Sequence, residues 1–126
     1  MARILVLDDM PDAANLTKRI LVKKGHEVTA FTEEAEAIEH VRKHTVDLAV
    51  LDIKLKKMSG VDVLAALKKS VPSMRAIMLT GYPTVETARA SKKLGADAYC
   101  VKPIDTDELE ETVASVLAGK PSAGSP

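Results

Sequence analysis

The chain has 126 residues, of which 46% are hydrophobic and 29% charged, and its 18 basic side chains balance 18 acidic ones. This size fits one domain with a buried core, and the balanced charge excludes a global field that would attract nucleic acid or a membrane. One cysteine excludes an internal disulfide, and without an apolar run long enough for a signal peptide or a membrane span the sequence predicts a cytoplasmic protein.

Strand-like and helix-like segments alternate five times along the chain. Short runs rich in branched aliphatic residues predict five strands, at 3–7, 26–31, 46–52, 74–80 and 96–101. Helical spacing of apolar residues predicts five helices, at 11–25, 32–44, 61–71, 84–94 and 105–117. The third strand is apolar enough to be buried on both faces, and the second alternates as an edge strand does.

Capping residues and apolar spacing predict how the helices begin and which sides they bury. Asp105 and Glu108 have capping-box spacing, and Thr32 followed by two glutamates predicts a cap for the second helix. The residues predicted to face the core from the first two helices are Ala13, Leu16, Ile20, Leu21, Ala35, Ile38 and Val41. The three histidines, His26, His40 and His44, are predicted to be solvated.

A strand-helix unit repeated five times predicts an α/β fold, with a doubly wound parallel sheet and helices on both faces. We expect one domain over residues 1–118, followed by a flexible tail or linker over 119–126 that is rich in Gly, Ser, Pro and Ala. Because the crossovers are right-handed, all strand carboxyl ends lie at one edge of the sheet. The polar residues expected at that edge are Asp8, Asp9, Asp52, Thr80 and Lys102.

The predicted edge combines residue types that suit phosphate chemistry. Three carboxylates repel one another unless a cation lies between them, and oxygen ligands without His or Cys favour Mg²⁺. The Thr80 hydroxyl and the Lys102 ammonium would complete a pocket of phosphate size. An aspartate there can act as a nucleophile and become an aspartyl phosphate. Taken singly, each residue has an ordinary explanation as a turn, cap or surface residue; taken together they predict a phosphoryl-transfer site.

Five motifs in order carry a resemblance to a known family. They are Ile4-Leu5-Val6-Leu7-Asp8-Asp9, the segment 47–52 with Met58 and Gly60, the segment 78–81, the segment 94–97, and Lys102-Pro103. With these motifs the chain resembles a response-regulator receiver domain of two-component signalling over residues 3–117. The resemblance implies a flavodoxin-like strand order, 2-1-3-4-5.

The resemblance also implies roles for individual residues. Asp52 would be the phosphoacceptor, and Mg²⁺ would be bound by Asp8, Asp9, Asp52 and the backbone carbonyl of Lys54. Thr80 and Tyr99 would form a switch pair, and Lys102 would contact the phosphoryl group before a cis Pro103. Lys54 and Tyr82 would border the path of the hydrolytic water. Receivers similar to this chain vary at these two positions, and long or bulky residues there imply slow loss of the phosphoryl group.

The implied partners are a sensor histidine kinase or a histidine phosphotransfer protein. Phosphorylation would change the surface of the fourth helix, fifth strand and fifth helix, where a homodimer could form. The chain would then be a signalling domain and not an enzyme, apart from its own phosphorylation and dephosphorylation, and would not bind nucleic acid or a membrane directly. Whether it is a stand-alone relay protein or the receiver of a longer regulator stays open.

The chain departs from the family pattern at three positions. Lys56 replaces a common proline, Ile104 a usual Phe, and Ala98 a frequent Asp.

Two other protein classes share parts of this sequence pattern. A phosphatase of the haloacid dehalogenase type also uses an aspartyl nucleophile with Mg²⁺, but needs a second acid where this chain has Lys54. A flavodoxin-type module would need a Ser/Thr/Gly phosphate loop where Asp8 and Asp9 stand.

Overall fold

The computed structural model describes residues 1–119, and this part of the chain contains five strands that alternate with five helices. The elements are β1 (Arg3–Leu7), α1 (Pro11–Lys23), β2 (Glu27–Phe31), α2 (Glu34–Lys43), β3 (Leu48–Asp52), α3 (Gly60–Ser70), β4 (Arg75–Thr80), α4 (Val85–Lys93), β5 (Ala98–Val101) and α5 (Thr106–Leu117). The predicted alternation is confirmed. The tail predicted over 119–126 lies, apart from Gly119, outside the described residues.

All strands pair in parallel, in the order β2-β1-β3-β4-β5, which confirms the predicted fold class and strand order. The central strand β3 is buried at all five positions, and its first four side chains alternate between two apolar clusters. Leu48 and Val50 belong to the cluster formed with α1 and α5, whereas Ala49 and Leu51 belong to the one formed with α2 and α3. Among residues 1–119, none of the helices has the length and apolar character needed to cross a bilayer.

The predicted core-facing sides of α1 and α2 are wrong in part. Leu16 is 57% exposed and Ala35 is also exposed, whereas Ala14 and Ala37 are buried in their place. Leu16 and Ala35 each lie two positions from the alanine that is buried instead. Two positions correspond to a rotation of about 200° around a helix. Both helices carry apolar residues on more than one side, so the spacing alone allowed two faces.

One of the two predicted caps is confirmed. The Asp105 carboxylate accepts a hydrogen bond from the Glu108 N–H at 2.7 Å, so α5 begins as expected. The prediction for α2 is wrong: Glu33 occupies the capping position, and within the described residues no side chain caps this helix end. The next residue, Glu34, is buried and bonds to a distant loop instead.

Two of the three histidines, His26 and His40, are less solvated than predicted, whereas His44 is exposed as expected. His26 Nδ1 accepts a hydrogen bond from the Ala2 N–H at 3.2 Å, and the His40 ring lies 5.1 Å from Phe31 and 4.5 Å from His44. Burial lowers the pKa of both His26 and His40, with a smaller contribution from neighbouring positive charge. These residues lie toward the amino-terminal edge of the sheet.

Gly60, the first residue of α3, is packed against the backbone at the end of β3. A Cβ atom there would overlap the Asp52 carbonyl oxygen and lie 2.8 Å from the Cα of Ile53. Gly60→Ala is therefore expected to lower the free energy of unfolding by about 3 kcal/mol, although alanine ordinarily favours a helix. Urea denaturation would measure this change.

Gly81→Ala is the matched control, since no described atom lies within 4 Å of a Cβ at that position. This substitution should change the free energy of unfolding by no more than about 0.5 kcal/mol. Equal stability of the Gly60→Ala protein and the wild type would contradict the close packing of α3 on Asp52.

Candidate functional site

Four neighbouring strands place polar residues at the carboxyl edge of the sheet. Asp8 directly follows β1, Asp52 ends β3, Thr80 ends β4, and Lys102 directly follows β5. Since these strands are adjacent in the order β1-β3-β4-β5, their ends converge. The crevice at this edge is where open α/β sheets bind their ligands.

Three carboxylates form the centre of this site. One oxygen from each of Asp8, Asp9 and Asp52 lies within 4.8 Å of the others. Asp8 and Asp52 are 5% and 7% exposed, and Oδ1 of Asp8 accepts a hydrogen bond from the Met10 N–H at 3.0 Å. Ligand oxygens around an octahedral Mg²⁺ are separated by up to about 4.2 Å, so small side-chain shifts would let this cluster bind the ion.

Lys102 links two of these carboxylates. Its Nζ atom lies 2.8 Å from an oxygen of Asp8 and 3.4 Å from an oxygen of Asp52. Burial alone would lower the Lys102 pKa, but the hydrogen bond to Asp8 and the Asp52 charge raise it, so the side chain is an ammonium ion. The peptide bond between Lys102 and Pro103 is cis.

The same surroundings act on the Asp52 carboxylate. Burial raises its pKa, Lys102 opposes this shift, and the neighbouring Asp8 charge adds to it. A cation beside the acidic cluster would relieve the repulsion between the carboxylates. A buried carboxylate, an acidic cluster that could hold a cation and a fixed ammonium ion together suit phosphoryl transfer to an aspartate.

Thr80 and Tyr99 lie on adjacent strands, with Tyr99 paired to Met78, two residues before Thr80. Thr80 is 1% exposed, and its Oγ1 atom accepts a hydrogen bond from the Tyr82 N–H at 3.0 Å. The Tyr99 hydroxyl lies 2.8 Å from Oγ1 of Thr87 in α4 and is half-buried. The ring is therefore held toward α4 by a residue that the sequence analysis did not identify.

Lys54 and Tyr82 meet at the rim of the site. The Lys54 Nζ atom lies over the Tyr82 ring, 4.1 Å from its centroid, in a cation–π contact between the loops that follow β3 and β4. Both residues are exposed. The two residues that sequence reasoning placed beside the water path thus contact each other.

Comparison with known proteins finds one matching family model and several similar proteins. The model of the response regulator receiver domain family matches residues 4–114. Sporulation initiation phosphotransferase F of Bacillus subtilis is 30% identical over 91% of this chain and 93% of its own length. Transcriptional regulatory protein ZraR of Klebsiella oxytoca is 34% identical over 91% of this chain but 26% of its own length, so the chain spans about a quarter of that relative.

Two similar solved structures are also those of response regulator proteins. A CheY-like response regulator receiver domain protein from Methanospirillum hungatei matches with a TM-score of 0.92 and 35% identity, over 94% of this chain and 95% of that one. A response regulator protein from Burkholderia pseudomallei, solved with a phosphorylated aspartic acid, a calcium ion and citrate, matches with a TM-score of 0.82 and 28% identity. That match covers 93% of this chain and 66% of the other.

Proposed function

This chain belongs to the response regulator receiver domain family, and we propose that it accepts a phosphoryl group on Asp52 in a two-component or phosphorelay system. The observation that carries the proposal is the cluster of three carboxylates with the Lys102 ammonium between Asp8 and Asp52. The phosphorylated aspartic acid and calcium ion in the Burkholderia pseudomallei relative support the same chemistry.

The transfer would begin with attack of an Asp52 oxygen on the phosphorus of a phosphohistidine. The new bond joins that oxygen to phosphorus, the phosphorus–nitrogen bond breaks, and the electron pair stays on the imidazole of the donor. Asp8, Asp9, Asp52 and the Lys54 carbonyl would hold Mg²⁺, which would neutralise charge on the phosphoryl oxygens. Lys102, oriented by Asp8, supplies a second positive charge to the same group.

The donor would be a sensor histidine kinase or a histidine phosphotransfer protein. Similarity to sporulation initiation phosphotransferase F over nearly its full length favours a relay role. Similarity to one quarter of a transcriptional regulator favours the receiver part of a longer, cytoplasmic protein. Both roles use the same site. The haloacid dehalogenase alternative is disfavoured because the exposed Lys54 stands where that class needs an acid.

The test of this function is phosphorylation by acetyl phosphate. Intact-mass analysis should show one added phosphoryl group when Mg²⁺ is present and none after a chelator removes the metal. Restoring Mg²⁺ should restore the label. Labelling at the same rate with and without the metal would contradict the proposed role of the acidic cluster.

Thr80 and Tyr99 would transmit the phosphorylated state to the surface formed by α4, β5 and α5. When Thr80 turns its hydroxyl toward a phosphoryl oxygen, it vacates space that the Tyr99 ring can enter, and the bond to Thr87 breaks. Val85 and Val101 on this surface are 67% and 47% exposed, which suits a homodimer or another partner.

Beryllofluoride, which mimics the phosphoryl group, should therefore change amide exchange in α4 and β5. In Thr80→Ala this change should be lost although fluorine NMR still detects bound beryllofluoride. Unchanged exchange in the wild-type protein with beryllofluoride bound would contradict the switch.

A further inference from the structure

Glu34 is a buried carboxylate outside the acidic cluster. It lies in the first turn of α2 and is 3% exposed. Its Oε2 atom accepts hydrogen bonds from the backbone N–H groups of Lys57 and Met58, at 2.7 and 3.0 Å. The side chain thus joins α2 to the loop between β3 and α3.

Stability alone does not explain a carboxylate at this position. Burial by itself would raise the Glu34 pKa, but the backbone hydrogen bonds and the Lys57 charge lower it, so the group is ionised. Within residues 1–119 its second oxygen, Oε1, is buried without a hydrogen-bond partner. Burying a charge that is only partly hydrogen-bonded is costly, and what this charge secures is the position of the Lys57 and Met58 N–H groups, which an apolar side chain would leave unpaired.

What Glu34 holds is the loop that follows Asp52. At the start of this loop the Ile53 N–H bonds to the Leu79 carbonyl at 3.0 Å, and at its end the Gly60 N–H bonds to the Ile53 carbonyl at 2.7 Å. Glu34 binds the loop between these two points, at Lys57 and Met58. Residues 54–56 lie between the start of the loop and the Glu34 contact.

We propose that Glu34 is a positioning residue that fixes the backbone of the β3–α3 loop, so that the Lys54 carbonyl is held ready for Mg²⁺ beside Asp52. The inference rests on the proposed function, since it concerns the same metal site. Glu34 would act through the loop and not by touching the metal or the phosphoryl group. Mutation of residues that orient metal ligands in this way typically lowers metal affinity by about ten- to a hundredfold.

The probe is Mg²⁺ alone, titrated into the full chain and followed by NMR chemical shifts. Glu34→Ala leaves the N–H groups of Lys57 and Met58 without their acceptor, and should weaken Mg²⁺ binding about tenfold. It should also speed amide exchange at those two residues. Glu34→Gln keeps a neutral oxygen acceptor, which makes weaker bonds than a carboxylate, so its loss of affinity should be smaller but measurable.

Glu36→Ala is the matched control, because Glu36 lies in the same turn of α2 but is exposed. It should bind Mg²⁺ as the wild type does. Thermal melting of each variant separates the two kinds of role: a purely structural Glu34 would lower the melting temperature and leave the Mg²⁺ affinity of the folded protein unchanged. That outcome would overturn the proposal.

If Glu34→Ala does not fold, Glu34→Gln decides the question by the same comparison. Wild-type affinity and wild-type exchange at Lys57 and Met58 in the Gln variant would overturn the proposal. A wild-type protein that binds Mg²⁺, with Glu34 variants that bind it equally well, would contradict this inference alone. A wild-type protein that binds no Mg²⁺ would contradict the proposed function and this inference with it.

Discussion

Replacing Asp52 with Asn is expected to abolish phosphorylation by acetyl phosphate. The amide has nearly the same shape as the carboxylate, so the fold should be kept, but it lacks the anionic oxygen that attacks phosphorus. It also removes one charge from the cluster with Asp8 and Asp9. Intact-mass analysis after treatment with the donor and Mg²⁺ should show a fully labelled wild type and an unlabelled variant.

Asp47→Asn is the control for this substitution. Asp47 lies just before β3, at the opposite edge of the sheet from Asp52, and its carboxylate accepts a hydrogen bond from the Arg3 N–H at 2.8 Å. This variant should be labelled as the wild type is. A label that persists in Asp52→Asn, or that peptide mapping places on Asp8, would contradict the assignment of the phosphoacceptor.

The position of Asp52 could be predicted because it follows from topology and not from fine geometry. A strand buried on both faces is a central strand of a parallel sheet, and the residue that ends it lies at the ligand-binding edge. The same reasoning brings Asp8, Thr80 and Lys102 to that edge from the neighbouring strands. No knowledge of side-chain packing was needed for this convergence.

Glu34 could not be found in this way because its partners are backbone groups. The N–H groups of Lys57 and Met58 are 23 and 24 residues away in sequence, and every residue except proline has such a group. An acid in the first turn of a helix is adequately explained by the helix dipole. Only the folded chain shows that this acid accepts hydrogen bonds from the loop between β3 and α3.

For a related reason, the sequence could not predict the contacts of Tyr99 or the side of α1 on which Leu16 lies. Tyr99 reaches Thr87 only because α4 packs where it does, which periodicity does not determine. Helix α1 has apolar residues on two sides, and Leu16 and Val22 stay exposed, at 57% and 47%. The sequence therefore predicts the existence of a helix more reliably than the rotation of that helix about its own axis on the sheet.

The lifetime of the phosphoryl group is expected to depend on the contact between Lys54 and Tyr82. Hydrolysis needs a water in line with the bond between Asp52 and phosphorus, so side chains that border this approach control the rate. The cation–π contact, at 4.1 Å, joins the loops after β3 and β4 over this rim. We therefore expect slow autodephosphorylation in the wild-type protein.

Tyr82→Ala and Lys54→Asn should each accelerate decay of the phosphorylated protein, by about tenfold, within the range that positioning of a reacting group can change a rate. Decay would be followed by intact mass after the donor is removed. Each single substitution already breaks the contact, so the double variant should decay little faster than either single one.

Lys56→Asn controls for loss of positive charge, because Lys56 is an exposed lysine in the same loop that is not the Tyr82 partner. Its decay rate should match that of the wild type. If charge in the loop were what slowed hydrolysis, Lys56→Asn and Lys54→Asn would accelerate decay alike and Tyr82→Ala would not. If neither Lys54→Asn nor Tyr82→Ala accelerated decay, the pair would not control access of water to Asp52.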